Sequence, residues 1–198
     1  DAASWRTVKD ALTRVPRSVR DTELPSGVIQ CGAKSYPGPF RSTQLHLTRR
    51  YEPISVARFE HIPEGGNRFD LPDVLKAPCW VNHTSGSGDV MGRLRWDEPS
   101  VTIRTEFFKP EKGRYLHPTE DRAITHFEAS RLQGFPDDYL WVGSKTAIAR
   151  QIGNAVPSPL GKALAVSVLA AIDGRDVEGP CLPVSTTASA DLGAKLER

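Results

Sequence analysis

Cysteine is scarce in this chain: 198 residues hold only Cys31, Cys79 and Cys181. They are far apart, odd in number and without metal-ligand spacing. This excludes a disulfide scaffold, gives no candidate metal site and points to a reducing, cytosolic setting. No run approaches 18 consecutive apolar residues, so no helix is expected to span a membrane. The first residues, Asp1-Ala-Ala-Ser-Trp5, lack the basic start and apolar block of a secretory signal. An initiator Met is missing too, so the expectation is a start trimmed, processed or cut from something longer. No internal repeat is present. Apolar residues at 38% and charged residues at 25% suffice for a modest core and exclude wholesale disorder. The length suits one ordinary domain or two small ones.

Proline and glycine are plentiful, 16 of each, so the chain turns often and long elements should be few. Net charge is only +2 but unevenly placed, with ten Lys/Arg against six Asp/Glu in residues 1–60. Eighteen of the 26 basic residues are arginine. Arginine's planar fork suits phosphate and guanine edges, although Arg-rich surfaces also arise without nucleic-acid contact.

The pattern of elements begins with a short helix over 5–15, on Trp5, Val8, Leu12 and Val15, stopped by Pro16. Residues 25–39 read as loop, and 61–73 as a structured loop after a short amphipathic turn holding Val56 and Phe59. Cys79–Asn82 and Ser100–Thr105 are the strand candidates, the second with Val101 and Ile103 inward and Thr102 and Arg104 outward. Thr125-His-Phe-Glu128 forms a capping box that starts a helix ending at Gly134. A second helix starts at Ser144, and a third runs from a Ser158 cap and Pro159 to Ile172. That third helix is apolar nearly all round and should be buried, yet the chain offers no parallel sheet to receive it. The segment after Asp173 is small, polar and turn-rich, and reads as a flexible tail.

Two stretches are unusually specific: Arg122-Ala-Ile-Thr125-His-Phe-Glu128-Ala-Ser-Arg131-Leu-Gln-Gly-Phe-Pro136 and Gln151-Ile-Gly-Asn154-Ala-Val-Pro157. In this order, about fifteen residues apart, they closely resemble the last two conserved motifs of the DNA cytosine-5 methyltransferases. Trp96-Asp-Glu-Pro-Ser-Val-Thr-Ile-Arg-Thr105 and Leu116-His-Pro118 resemble what precedes those motifs. The likeness is firm over 93–172 and fainter over 1–92, where Val8-Lys-Asp-Ala-Leu12 and Ile62-Pro-Glu-Gly-Gly66 with Asp70-Leu-Pro72 resemble the start of the family's recognition region. The family's Gly-rich cofactor loop, Pro-Cys-Gln nucleophile and Glu-Asn-Val acid have no counterpart here. Pro78-Cys79 is followed by Trp-Val, so Cys79 reads as a buried structural cysteine.

The resemblance therefore implies the carboxy-terminal part of such an enzyme, as a fragment or as the small subunit of a split one. The fold class it implies is α+β: a small irregular mixed α/β target-recognition domain, with a C-terminal helical segment packing on the Rossmann-like sheet of a missing catalytic half. The domain reading is 1–120 for DNA recognition, 121–157 for scaffold and cofactor-pocket motifs, 158–173 for the returning helix and 174–198 for the tail. The implied reaction is transfer of a methyl group from S-adenosylmethionine to C5 of a flipped cytosine, after a thiolate of the missing half adds at C6. Lacking that thiol, the isolated chain is expected to be inactive. Partners would be double-stranded DNA and the missing half, with no membrane, in a bacterial-type cytoplasm at the nucleoid.

Within that frame Asn154 and the backbone near Val156 are placed beside the cofactor, although Gly-Asn by itself is a common helix terminus. Arg122, Glu128, Arg131 and Gln133 read as a buried ionic network that fixes the recognition region; no catalytic residue is assigned. DNA contact is assigned to Gly65, Gly66, Asn67 and Arg68, with Arg93, Arg95, Arg104, Thr105, Lys109, Lys112 and Arg114; any one such residue is more often a solvated surface residue, and their clustering supports the set rather than each member. Trp80 and Trp96 read as core. The rival readings are a stand-alone sequence-specific DNA-binding module and an interaction domain unrelated to DNA.

Overall fold

In the computed structural model, residues 5–82 and 85–174 are described. The chain divides into two units, 1–160 and 161–198; the tail and Cys181 lie outside the described residues, except for Gly174.

In unit 1, Thr7 caps a helix α1, Val8–Leu12, in a reciprocal box with Asp10. The helix is shorter than the periodicity over 5–15 predicts. It buries Val8, Ala11 and Leu12. The stretch read as loop holds an antiparallel hairpin, β1 (Val28–Cys31) and β2 (Lys34–Pro37), with Val28 opposite Pro37 and Cys31 opposite Lys34. All eight of its residues are exposed, so no apolar alternation marks it in the sequence. A second small sheet pairs β3 (Phe40–Arg41) antiparallel with β4 (Leu140–Trp141), Phe40 opposite Trp141. Among the described residues the architecture is mixed α/β with two two-stranded sheets.

Helix α2 (Pro53–His61) covers the region left as an amphipathic turn and buries Phe59. Cys79–Asn82 is not a strand. Helix α3, Pro78–Val81, occupies it, because Pro78 sits at the first turn, where its fixed φ favours a helix and its missing N–H is no loss. Cys79 is exposed there, not buried as expected. Ser100–Thr105 keeps the expected alternation, with Ile103 buried and Thr102 and Arg104 exposed, but it joins no sheet. One tyrosine replaces the missing ladder: Tyr115 Oη donates to the Thr102 carbonyl (3.1 Å) and accepts from the Arg104 amide (3.2 Å).

Helices α4 (His126–Leu132) and α5 (Lys145–Asn154) start at the expected caps, Thr125 and Ser144. Alpha-4 stops before Gly134, which holds φ +83°. The main core joins Val8, Ala11 and Leu12 of α1 to Phe127 and Ala129 of α4, Ile148, Ala149 and Ile152 of α5, and Phe40, Phe107, Tyr115 and Trp141. Trp96 packs against it. A second cluster gathers Phe59, Ile62, Leu71, Met91 and Leu116, with Trp80 at its edge.

Helix α6 spans Ser158–Ile172 and leads into unit 2. Its Leu164, Val166, Val168, Leu169 and Ile172 are exposed. Within the stretch Lys145–Ile172 an 18-residue window reaches a mean hydropathy of 1.6, so that by length and composition alone the stretch could cross a membrane, contrary to the sequence expectation. It is, however, two helices separated at residues 155–157. Alpha-6 alone has 15 residues, fewer than the roughly 20 that a hydrocarbon core requires.

Candidate DNA interface and cofactor-side loop

A buried ion pair ties helix α4 to the segment that precedes it. Arg122 Nη1 and Nη2 each donate to one Glu128 oxygen at 2.8 Å. The Thr125 amide donates to Glu128 Oε2 (2.7 Å), while Thr125 Oγ1 accepts from the Glu128 amide (3.1 Å). Burial alone would raise the Glu128 carboxyl; the Arg122 hydrogen bonds and charge outweigh it and hold the group below the ordinary carboxylate range.

Three histidines complete this layer. His46 Nε2 lies 2.7 Å from the Pro16 carbonyl, which can only accept. The other nitrogen, Nδ1, therefore accepts from Thr125 Oγ1 at 3.0 Å, and the helix cap is tied to the loop after α1. His117 Nδ1 accepts from the amides of Thr119 and Glu120 (3.2 and 3.1 Å), so the proton sits on Nε2, 3.6 Å from Glu128. Burial pushes the His117 pKa down to about 4 against the pull of Glu128, and burial does the same to His126. Both rings are neutral at pH 7.

Arg131 is not part of this network: it reaches Asp137 (3.3 Å) at the surface. Gln133 takes another route, its Nε2 donating to the carbonyls of Ile152 (2.8 Å) and Ala155 (3.3 Å), which fixes the loop after α5.

The residues expected at DNA fall into two groups. In the first, most are engaged internally. Arg93 is buried and its five N–H groups are all taken, by the carbonyls of Phe59, Ile62, His117 and Glu120 and by Asp121, at 2.6–2.8 Å. Arg114 donates to the carbonyls of Gly65 (2.7 Å), Gly66, Arg93 and Gly88 (each 3.0 Å). Arg68 is buried, bonded to the Ser85 carbonyl (3.1 Å) and stacked on Phe69. Gly65 holds φ +71°, a conformation that favours glycine, and a methyl group at Gly66 would strike Pro63 and Asp70. Asn67 caps the turn at Arg68–Asp70. Of this group only Arg95 is exposed, paired with Glu98 at 2.9 Å.

In the second group, Arg104 and Thr105 lie against the end of α5. Arg104 is exposed, without a carboxylate partner among the described residues, and Thr105 is half-buried. A methyl group at Gly153 would overlap the backbone of Arg104 and Thr105, so glycine is required there for packing. Asn154 and Val156 follow, both exposed. Beside them a cleft of about 410 Å³ is lined by Thr102, Ile103, Gln133, Gly153, Ala155 and Pro157, among others. Lys109 and Lys112 gather around Glu106. Tyr115, His46 and His117 carry no assignment from the sequence; only the resemblance at Leu116-His-Pro118 pointed toward the last.

The chain matches the family model for C-5 cytosine-specific DNA methylases over residues 44–170. It belongs to that family. It is 38% identical over 165 residues to the type II methylase M.HgiDII of Herpetosiphon aurantiacus, covering 80% of this chain and 45% of that protein. Against the type II methyltransferase M.Eco47II of Escherichia coli it is 32% identical over 84% of this chain and 36% of the relative. Against DNA (cytosine-5)-methyltransferase 1A of rice it is 32% identical over 85% of this chain and 12% of the relative. The chain thus spans less than half the length of these relatives. A crystal structure of a DNA modification methyltransferase encoded within an E. coli prophage shares the fold, with a TM-score of 0.51 and 21% identity over 84% of this chain and 47% of that one.

Proposed function

We propose that this chain is the DNA-recognition and cofactor-pocket-completing part of a DNA (cytosine-5-)-methyltransferase, working with a catalytic part that lies outside this sequence, in the same polypeptide or in a separate subunit. The observation that carries the reading is the junction at Gly153. There, the backbone of exposed Arg104 and half-buried Thr105 packs against the glycine that immediately precedes Asn154, and Gln133 at the end of α4 holds the carbonyls of Ile152 and Ala155 in the same stretch. Residues 1–120 would meet DNA, and 121–157 would hold the recognition region and close the pocket. The apolar helix within 158–173 would pack on the Rossmann-like sheet of the other part. The setting is bacterial cytoplasm at the nucleoid.

Asn154 and Val156 fit S-adenosylmethionine. No side-chain hydrogen bond engages the Asn154 carboxamide among the described residues, so it offers both a donor and an acceptor, and Val156 presents an open apolar face. The cofactor, when bound, supplies an electrophilic methyl group. On the DNA side, Arg95, Arg104, Thr105, Lys109 and Lys112 would meet phosphates or base edges, whereas Arg93, Arg114 and Arg68 would act from beneath.

A salt titration tests the reading. Affinity of the chain for duplex DNA should fall steeply with log salt, and Arg104→Gln should lower that slope by about 0.9, the value for one phosphate contact. A flat salt response overturns DNA recognition. No tritium should pass from labelled S-adenosylmethionine to duplex DNA with this chain alone; incorporation would overturn the division of labour. A stand-alone DNA-binding module would bind equally well but would have no use for the exposed apolar side chains of α6.

A further inference from the structure

We propose that Arg114, together with Arg68, is a positioning residue for sequence reading: it never touches DNA but sets the mutual placement of two turns, residues 65–67 and 85–89, that do. The inference rests on the reading of this chain as a DNA-recognition part and assigns specificity to residues beneath the surface.

The geometry is that of a guanidinium used as a hub. Arg114 Nη1 draws in the carbonyls of Gly65, Gly66 and Arg93, while Nη2 takes that of Gly88. Its Nε lies 3.5 Å from Asp89. From the other side, Arg68 holds the Ser85 carbonyl through Nη2, and its backbone amide bonds to Val90. Its Nε is buried, with no hydrogen-bond partner among the described residues. The second turn is therefore tethered at Ser85 by one arginine and at Gly88 and Asp89 by the other. The chain leaves it through Met91, a buried non-glycine residue with φ +54°, a strained conformation that the surrounding packing must offset.

Asn67 stands where the two turns meet. Its Oδ1 accepts from the Phe69 amide at 2.9 Å, which settles the orientation of the carboxamide. Its Nδ2 faces Gly88, 3.6 Å from where a Cβ on that glycine would sit. No acceptor engages Nδ2 among the described residues, so it is a preset donor, the group that meets the acceptors of guanine and thymine in a major groove. A lysine at 114 would keep the charge, but as a point donor it could not span four carbonyls with a planar fork.

The test separates positioning from contact. From a randomised duplex library the chain should enrich a preferred sequence; affinity for that duplex and for a scrambled one is then followed across a salt series. Arg114→Lys should cut the preference about tenfold, the discrimination of one bidentate base contact, and leave the salt slope unchanged. Arg68→Lys should behave likewise, whereas Arg104→Gln should lower the slope and keep the preference. A lower slope with intact preference in Arg114→Lys makes Arg114 a phosphate contact and overturns the inference, as does a preference retained by both lysine variants. Should Arg114→Lys lose its cooperative thermal transition, Asn67→Ala decides: preference lost with the slope kept supports the inference, and preference kept overturns it. A native chain that binds with a steep salt dependence but enriches nothing overturns the inference while leaving DNA binding standing; a flat salt response overturns the underlying reading.

Discussion

Two parts of unit 1 solve the same problem, holding irregular chain in place, by different chemistry. Around α4, a carboxylate and a guanidinium face each other in the interior, and the carboxylate also closes a helix cap. Around residues 59–95, arginines bond almost entirely to backbone carbonyls, and the neutral dipoles of distant segments converge on one cation. Removing one partner has different consequences in the two places. In the first it strands a charge in the core; in the second it strands neutral acceptors, some of which water can reach.

The largest effect at any single residue is therefore expected from Glu128→Ala, which leaves the Arg122 cation buried and unpaired. Unfolding free energy from urea titration should fall by about 3–5 kcal/mol. The double replacement Arg122→Met with Glu128→Leu should recover part of it, since the charge goes with its partner. Next comes acid. His117 and His126 are held at about 4 in the folded state, below the ordinary 6.5, so both must charge as the chain unfolds. Their contribution is complete above pH 6.5 and is lost as pH falls toward 4, by up to about 3 kcal/mol for each ring. Glu128 extends the loss below that range, since its own pKa is lowered. Urea midpoints measured between pH 7 and 4 should follow this curve; a flat profile would mean the rings are not sealed. The smallest effect is expected from Arg93→Lys, which retains a cation but fewer donors: about 1–3 kcal/mol. If Arg93→Lys costs more than Glu128→Ala, the contrast between the two regions fails.

The same contrast explains what could be read in advance. The caps at Thr125 and Ser144, the stop at Gly134 and the helix after Ser158 are local events, written within three or four residues. The Arg122–Glu128 pair lies six residues apart and was legible as scaffold, although Arg131 was wrongly joined to it. Arg93 and Arg114 read in the sequence as DNA-contacting arginines because their partners lie 21–49 residues away for the carbonyls of Gly65, Ile62, Phe59, His117 and Arg93. No periodicity records such a bond, and an arginine that gathers carbonyls is written with the same letter as one that meets phosphate. The 100–105 segment has strand alternation without a sheet for a related reason: its partner is a single hydroxyl, that of Tyr115. Asn154 and Val156 were named only through the family motif, and both are exposed beside the packed glycine that the motif also contains.

The hairpin of β1 and β2 keeps every side chain in solvent. A region with no share in the core is under no obligation to hold a length or a composition. Within this fold it is the place where residues can be added, removed or exchanged with the least disturbance, and the exposed thiol of Cys31 offers a chemical handle on it.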